Sequence, residues 1–403
     1  MPILPLLLER AEDLRAALPP KPRPFSADVL IAEARRATGL AQFGDVEFRD
    51  GLDRFLAACA AEAQLGMIGR AATRWDVVRF LSNLLRMAKA EQVDPTITAQ
   101  TVDRPVFITG LPRSGTSFLH NLLMEDPANH VPRVWQPIAP YADTAGNRHI
   151  ARVNAQLRTF ERIAPGFRSL HPIDAEAAQE CSEITAHVFA SLRFDTTYRI
   201  PAYRSWLDAH GHNDAYRFHK RFLQHLQHQA PAPGRWFLKC PDHVFALDAI
   251  AAIYPDANIV FVHRDPLKVL PSVAKLTEIL RRPFSRHIDR ADIGAQESAR
   301  WLQGAAHMIA ASGAQSFRRP IFHVHYRELV ADPPATIAAL YRHFDLDLAA
   351  ETEARIRRRV AADRKGGYGA NRYRFEDFSL APAQQRALFE TYTRHFDVAR
   401  EVP

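Results

Sequence analysis

Apolar positions change their period near residue 100, and the change divides the chain. Before it the spacing is helical. Pro19-Pro20-Lys21-Pro22-Arg23-Pro24 reads as a stiff connector, after which Ser26 and Asp28 start a helix that Gly39 ends. Leu52, Phe55, Leu56, Cys59, Ala60 and Ala63 form a one-face stripe, as do Val77, Val78, Leu81, Leu84, Leu85 and Ala88. Residues 1–100 are therefore expected to be a helical N-terminal extension or cap, either packed on the rest or forming one wall of a binding site. From residue 105 short apolar runs at 106–109, 235–239, 259–262 and 321–324 alternate with helical patterns, among them 243–253, 267–280 and 333–344. Strands separated by helices predict an α/β domain over 101–403, with a mostly parallel sheet flanked by helices. Ligands of such sheets bind beyond the strand C-termini, where these four runs deliver Gly110, Lys239, His263-Arg264 and Tyr326. The less regular stretch 131–230, rich in His and aromatic residues, reads as a helical insertion that carries substrate specificity.

Composition narrows this picture little. With 403 residues, 47% hydrophobic and 24% charged, the chain has an ordinary globular balance and length enough for a sizeable core. A net charge of +7 suits a multiply charged nucleotide; no nucleic-acid-reading module or long basic run appears, so nucleic acid is not an expected partner. Cys59, Cys181 and Cys240 are odd in number and far apart, which excludes a disulfide framework or a Cys-x-x-Cys metal site and points to a reducing compartment. Leu6-Leu7-Leu8 is followed at once by Glu9, Arg10, Glu12 and Asp13, too short and too acidic for a signal peptide. No apolar segment reaches membrane-spanning length, so a cytoplasmic protein is expected.

The chemistry concentrates in Thr109-Gly110-Leu111-Pro112-Arg113-Ser114-Gly115-Thr116-Ser117. A strand, a glycine-containing turn and a helix opening at Thr116 form an anion seat, because unpaired amides point outward there and the helix dipole favours negative charge. Gly110 and Gly115 have the spacing of the nucleotide triphosphate loop, but Thr116 stands where that loop needs Lys, and the cation is Arg113. Such a P-loop-type turn is poorly equipped for ATP with Mg²⁺, which argues against a small-molecule kinase. It suits one phosphate-like group held by amides, hydroxyls and a guanidinium.

The Gly-Leu-Pro-Arg-Ser-Gly-Thr-Ser segment resembles the 5′-phosphosulfate loop of sulfotransferases that use 3′-phosphoadenosine 5′-phosphosulfate (PAPS), in the form seen in the bacterial and tyrosylprotein branches. The resemblance covers roughly residues 105–380 and implies a sulfuryl transfer to a hydroxyl or amine, leaving adenosine 3′,5′-bisphosphate. It implies that Arg113, Ser114, Gly115, Thr116 and Ser117 hold the phosphosulfate. It makes Lys239, in Leu238-Lys239-Cys240-Pro241-Asp242-His243, the cation at the bridging oxygen, although Cys240 and Asp242 depart from the family's Lys-Ala-Pro-Glu-His form. Arg264 and Ser272, eight positions apart, are implied to bind the 3′-phosphate, and Tyr326 to lie at the adenosine. Gly369, Asn371 and Arg372, in a glycine-rich basic loop, are similar to the segment that closes over the nucleotide, with Asn371 where a His is expected.

The general base is the least defined element. Gln136 follows Trp135 where many relatives carry Glu, so that carboxylate is absent. His243 is the first candidate, with helix capping as the alternative reading, and Glu180 is the second. The acceptor class stays open among small molecules, lipids and sugars, and the oligomeric state is unspecified. No metal-ligand cluster is apparent. A non-catalytic nucleotide binder is the main rival.

Overall fold

In the computed structural model the described residues are 25–142, 147–170, 173–230, 234–314, 316–363 and 374–401. The connector at 19–24 and the loop carrying Gly369, Asn371 and Arg372 lie outside them. The helical pattern before residue 100 forms α1 (Ala27–Thr38), α2 (Arg49–Ala61) and α3 (Met67–Val93). Gly39 ends α1 in the left-handed region at φ 68°, as a helix-terminating glycine should. Val77, Leu81, Leu84, Leu85 and Ala88 of α3 are all buried.

The sheet has five strands in the order β2-β3-β1-β4-β5: β1 (Val106–Gly110), β2 (Asn129–His130), β3 (Arg235–Lys239), β4 (Asn258–His263) and β5 (Phe322–His325). Every pair is parallel. The four expected strands are present; the two-residue β2 at the edge is too short to leave a periodic signal. β1 is buried along its whole length because helices cover both faces. Its residues alternate between two cores, Phe107 facing one with Leu238 and Phe261, Val106 and Ile108 the other with Phe237 and Val260. The N-terminal helices share the first of these cores.

Register sets the functional edge. Ile108 lies opposite Lys239, Gly110 opposite Val262, and His263 opposite His325. The connection leaving β1 runs toward β2 on one side and that leaving β4 toward β5 on the other, so a crevice opens between their C-terminal ends. Gly110 is required there: at φ 143° a Cβ would stand 2.2 Å from the Val262 carbonyl oxygen.

A closed ring of four charges ties α3 to the insertion. Arg79 pairs with Asp76 at 2.7 Å and Glu183 at 2.6 Å, and Arg193 with Asp76 at 2.7 Å and Glu183 at 2.6 Å. The side chains of Asp76, Arg79 and Glu183 are at most 12% exposed, so each charge depends on the opposite ones. Glu183→Ala leaves two guanidinium groups on one carboxylate and should cost about 3–5 kcal/mol of unfolding free energy in urea titration. A loss below about 1 kcal/mol would mean that solvent replaces the missing carboxylate.

Candidate active site

The turn after β1 is shaped by its own residues. Arg113 takes a left-handed φ of 63° and Gly115 one of 93°, and α4 (Thr116–Leu123) starts immediately after. A non-glycine residue in that region is uncommon and costs free energy, a feature that clusters at ligand sites. At Gly115 a Cβ would meet the Tyr326 ring at 2.9 Å, so the glycine is fixed by space as well as by φ. Ser114 departs from expectation. Its buried hydroxyl donates to the Leu111 carbonyl at 2.6 Å and braces the turn from behind, while Arg113, Gly115, Thr116 and Ser117 line the cavity in front.

That cavity measures about 2490 Å³ and is walled by contrasting surfaces. The anion-seat turn, Lys239, Arg264, Ser272 and Tyr326 form one part. Ala72 and Trp75 of α3, Leu157, Phe160 and Ile163 of α5 (Arg148–Ile163), Leu276 and Leu280 of α7, and Phe284 form an apolar part. Here α6 is Asn213–His228 and α7 is Pro266–Arg281. Among the described residues before 100, those of α3 contribute to the cavity wall, while α1, α2 and α3 all pack into the shared core.

Lys239 ends β3 with its side chain 2% exposed. Its Nζ donates to Ser117 Oγ at 3.0 Å and to Glu180 Oε1 at 2.5 Å. One partner comes from the turn and the other from the insertion, so the ammonium joins the two cavity surfaces. Arg113 Nε donates to Ser272 Oγ at 3.1 Å and its Nη1 to the Leu170 carbonyl at 3.0 Å. Arg264 Nη1 donates to the Arg113 carbonyl at 2.8 Å, its guanidinium lies 3.7 Å from the Tyr326 ring centroid, and its Nε–H points at the Glu401 carboxylate. The expected residues are together, but the pairing differs: Ser272 bonds Arg113, and Arg264 is stacked on Tyr326.

His243 is placed differently from the expectation. It is 1% exposed, hydrogen-bonded through Nδ1 to the Tyr216 hydroxyl from α6, and packed with its ring centroid 5.1 Å from that of Phe107. It does not line the large cavity. Burial, then the neighbouring His219 and Lys239, push its pKa well below the usual range. The structure thus sets it among core side chains, apart from the lining of the large cavity.

The neighbouring Asp242 was missed. It lines the cavity beside Glu180, and its carboxyl is pushed up to about 7, chiefly by desolvation and next by the negative charge of Glu180. The available signal was its position, where the family form carries Glu. Among the described residues no group of His, Cys, Asp and Glu is arranged to hold a metal ion.

A parallel sheet with an anion-binding turn at its switch point, lacking the triphosphate-loop lysine and facing a buried strand-end lysine, defines a class of group-transfer folds. The model of the Sulfotransferase family matches residues 105–350, and the chain belongs to that family. Sulfotransferase STF9 from Mycobacterium avium has a similar structure, with a TM-score of 0.84 and 26% identity over 96% of this chain and 100% of that one. STF1 from Mycobacterium tuberculosis H37Rv gives 0.78 and 29%, over 92% and 98%. The omega-hydroxy-beta-dihydromenaquinone-9 sulfotransferase Stf3 of Mycobacterium tuberculosis is 24% identical over 275 residues, 62% of this chain. The chain spans 65% of the length of that curated relative.

Asp242 gives the site a pH signature. Its carboxyl titrates near 3.8 when free and near 7 when folded, so between those values the folded state holds more protons than the unfolded one. Its contribution to stability therefore falls as pH rises through that window. In urea titrations from pH 4 to 8, the stability of Asp242→Asn relative to wild type should rise with pH. A pH-independent difference would remove the proton from Asp242.

Proposed function

We propose that the protein transfers a sulfuryl group from PAPS to a hydroxyl on an apolar, lipid-class acceptor. The observation that carries this reading is one cavity with an anion-binding turn on one surface and an aliphatic and aromatic lining on another, joined at Lys239. Its volume of about 2490 Å³ exceeds the roughly 300–1,000 Å³ of a single small-ligand site, leaving room for a nucleotide and a large acceptor together. The aliphatic and aromatic side chains of that surface favour an acceptor with a large apolar body. Stf3, by its name, acts on a hydroxylated dihydromenaquinone, which supports the same class of acceptor here.

In this reading the amides at Gly115 and Thr116, the Thr116 and Ser117 hydroxyls and Arg113 hold the 5′-phosphosulfate, Arg264 takes the 3′-phosphate, and Tyr326 lies near the adenosine. The acceptor oxygen forms a bond to sulfur as the bond from sulfur to the bridging phosphate oxygen breaks. The leaving bisphosphate keeps that electron pair, and Lys239 stabilises the charge that grows on the bridging oxygen. The acceptor proton passes to the carboxylate pair. Glu180 is engaged by Lys239, so Asp242, poised near neutral pH, is the better matched acceptor.

Thermal-shift titration checks the donor: adenosine 3′,5′-bisphosphate should stabilise the protein more than ATP with Mg²⁺, and equal or reversed shifts would count against PAPS. For catalysis, Lys239→Ala should lower the transfer rate by roughly 10²–10³-fold, the usual effect of deleting one preorganised donor, with bisphosphate affinity little changed. A wild type that transfers nothing to long-chain alcohols or hydroxylated quinones, while binding the bisphosphate, would point to a non-catalytic binder.

A further inference from the structure

The cation assigned to the 3′-phosphate already holds an anion. Arg264 Nε donates to Glu401 Oε1 at 3.0 Å and Oε2 at 3.3 Å, and Nη2 donates to Oε2 at 3.1 Å. These two nitrogens form the edge of the guanidinium with two parallel donors, the edge that grips phosphates and carboxylates alike. Nη1 is committed to the Arg113 carbonyl, and the guanidinium lies against the Tyr326 ring. Glu401 is itself fixed: its amide donates to Asp265 Oδ2 at 2.7 Å, and three residues earlier the buried Val398 donates its amide to the Thr393 carbonyl at 2.9 Å. Glu401 also lines the large cavity.

We propose that Glu401 is a resident anion that competes with the 3′-phosphate of the nucleotide for Arg264, and that its carboxylate must leave the guanidinium edge before the donor seats fully. This rests on the reading of Arg264 as the 3′-phosphate residue. While Glu401 occupies the edge, the apparent affinity for the nucleotide is lowered by the fraction of molecules in which Arg264 is free. A carboxylate that merely aims Arg264 at the phosphate would act in the opposite direction, since its removal would loosen the cation. The two roles therefore differ in the sign of a measurable effect. Competition also acts only on ligands carrying the 3′-phosphate.

The experiment is isothermal titration of the full chain with adenosine 3′,5′-bisphosphate and with adenosine 5′-monophosphate, using wild type, Glu401→Gln, Glu401→Ala and Arg264→Ala. Both Glu401 variants should bind the bisphosphate roughly three- to tenfold more tightly than wild type, with the monophosphate unchanged. Two chemically different replacements guard against one disturbing the local fold. Bisphosphate binding that is equal or weaker in both, with Arg264→Ala still weakening it, overturns the competing role and leaves the proposed function intact. Equal tightening of both nucleotides also overturns it. Wild-type bisphosphate affinity in Arg264→Ala removes Arg264 from the phosphate site and overturns both readings together.

Discussion

The site depends on one electrostatic constraint: a lysine ammonium at the end of a central strand, withdrawn almost entirely from water. Lys239 cannot be left uncompensated in that position, because burying an unpaired charge costs several kcal/mol. The fold answers from two directions. Ser117 arrives from the first turn of α4, which the left-handed backbone at Arg113 and Gly115 places beyond β1. Glu180 arrives from the insertion, whose backbone is tied down where the Cys181 amide donates to the Lys239 carbonyl at 3.1 Å. Satisfying the lysine thus assembles the turn after β1, the end of β3 and the insertion around a single point.

The same principle governs the rest of the cavity wall. The ring of Asp76, Arg79, Glu183 and Arg193 brings four charges to that wall, two of each sign, so it adds no net charge where an apolar acceptor is proposed to lie. On the side of the turn after β1, Lys239 is paired with Glu180 and Arg264 with Glu401, while the Arg113 guanidinium is held by the Ser272 hydroxyl and the Leu170 carbonyl.

Much of this was legible in the sequence because it depends on local pattern. Four of the five strands, the helix ended by Gly39 and the turn between Gly110 and Thr116 all announce themselves within a few residues. The convergence of Gly110, Lys239, Arg264 and Tyr326 followed from placing strand ends on one edge of a parallel sheet, whereas Ser272 was implied by the resemblance alone. What escaped reading depends on pairing across long separations. Nothing local marks Glu401 as the partner of Arg264, 137 positions away, or ties Arg79 to Glu183, 104 positions away. The chemistry of His243 suits a base, whereas its position follows from Tyr216 and Phe107 packing around the ring. Asp242, one residue earlier, faces the cavity instead.

The bond between Glu180 and Lys239 bears on how the two carboxylates divide their work. A transition state for sulfuryl transfer, like one for phosphoryl transfer, spreads charge over the transferred group and the leaving oxygen, and with loose bonding the acceptor loses its proton late. Little catalytic gain then comes from a strong base, and much comes from a cation already in position, which needs no reorganisation as charge develops. Glu180 is suited to holding that cation still, because its oxygen is hydrogen-bonded to the ammonium before any substrate arrives. Its negative charge in turn raises the proton affinity of Asp242, so the contact that fixes the lysine also helps bring the second carboxyl toward neutrality. Orientation of the cation and tuning of the Asp242 carboxyl, the proposed proton acceptor, are therefore two consequences of one charge arrangement, and a change at Glu180 reaches both.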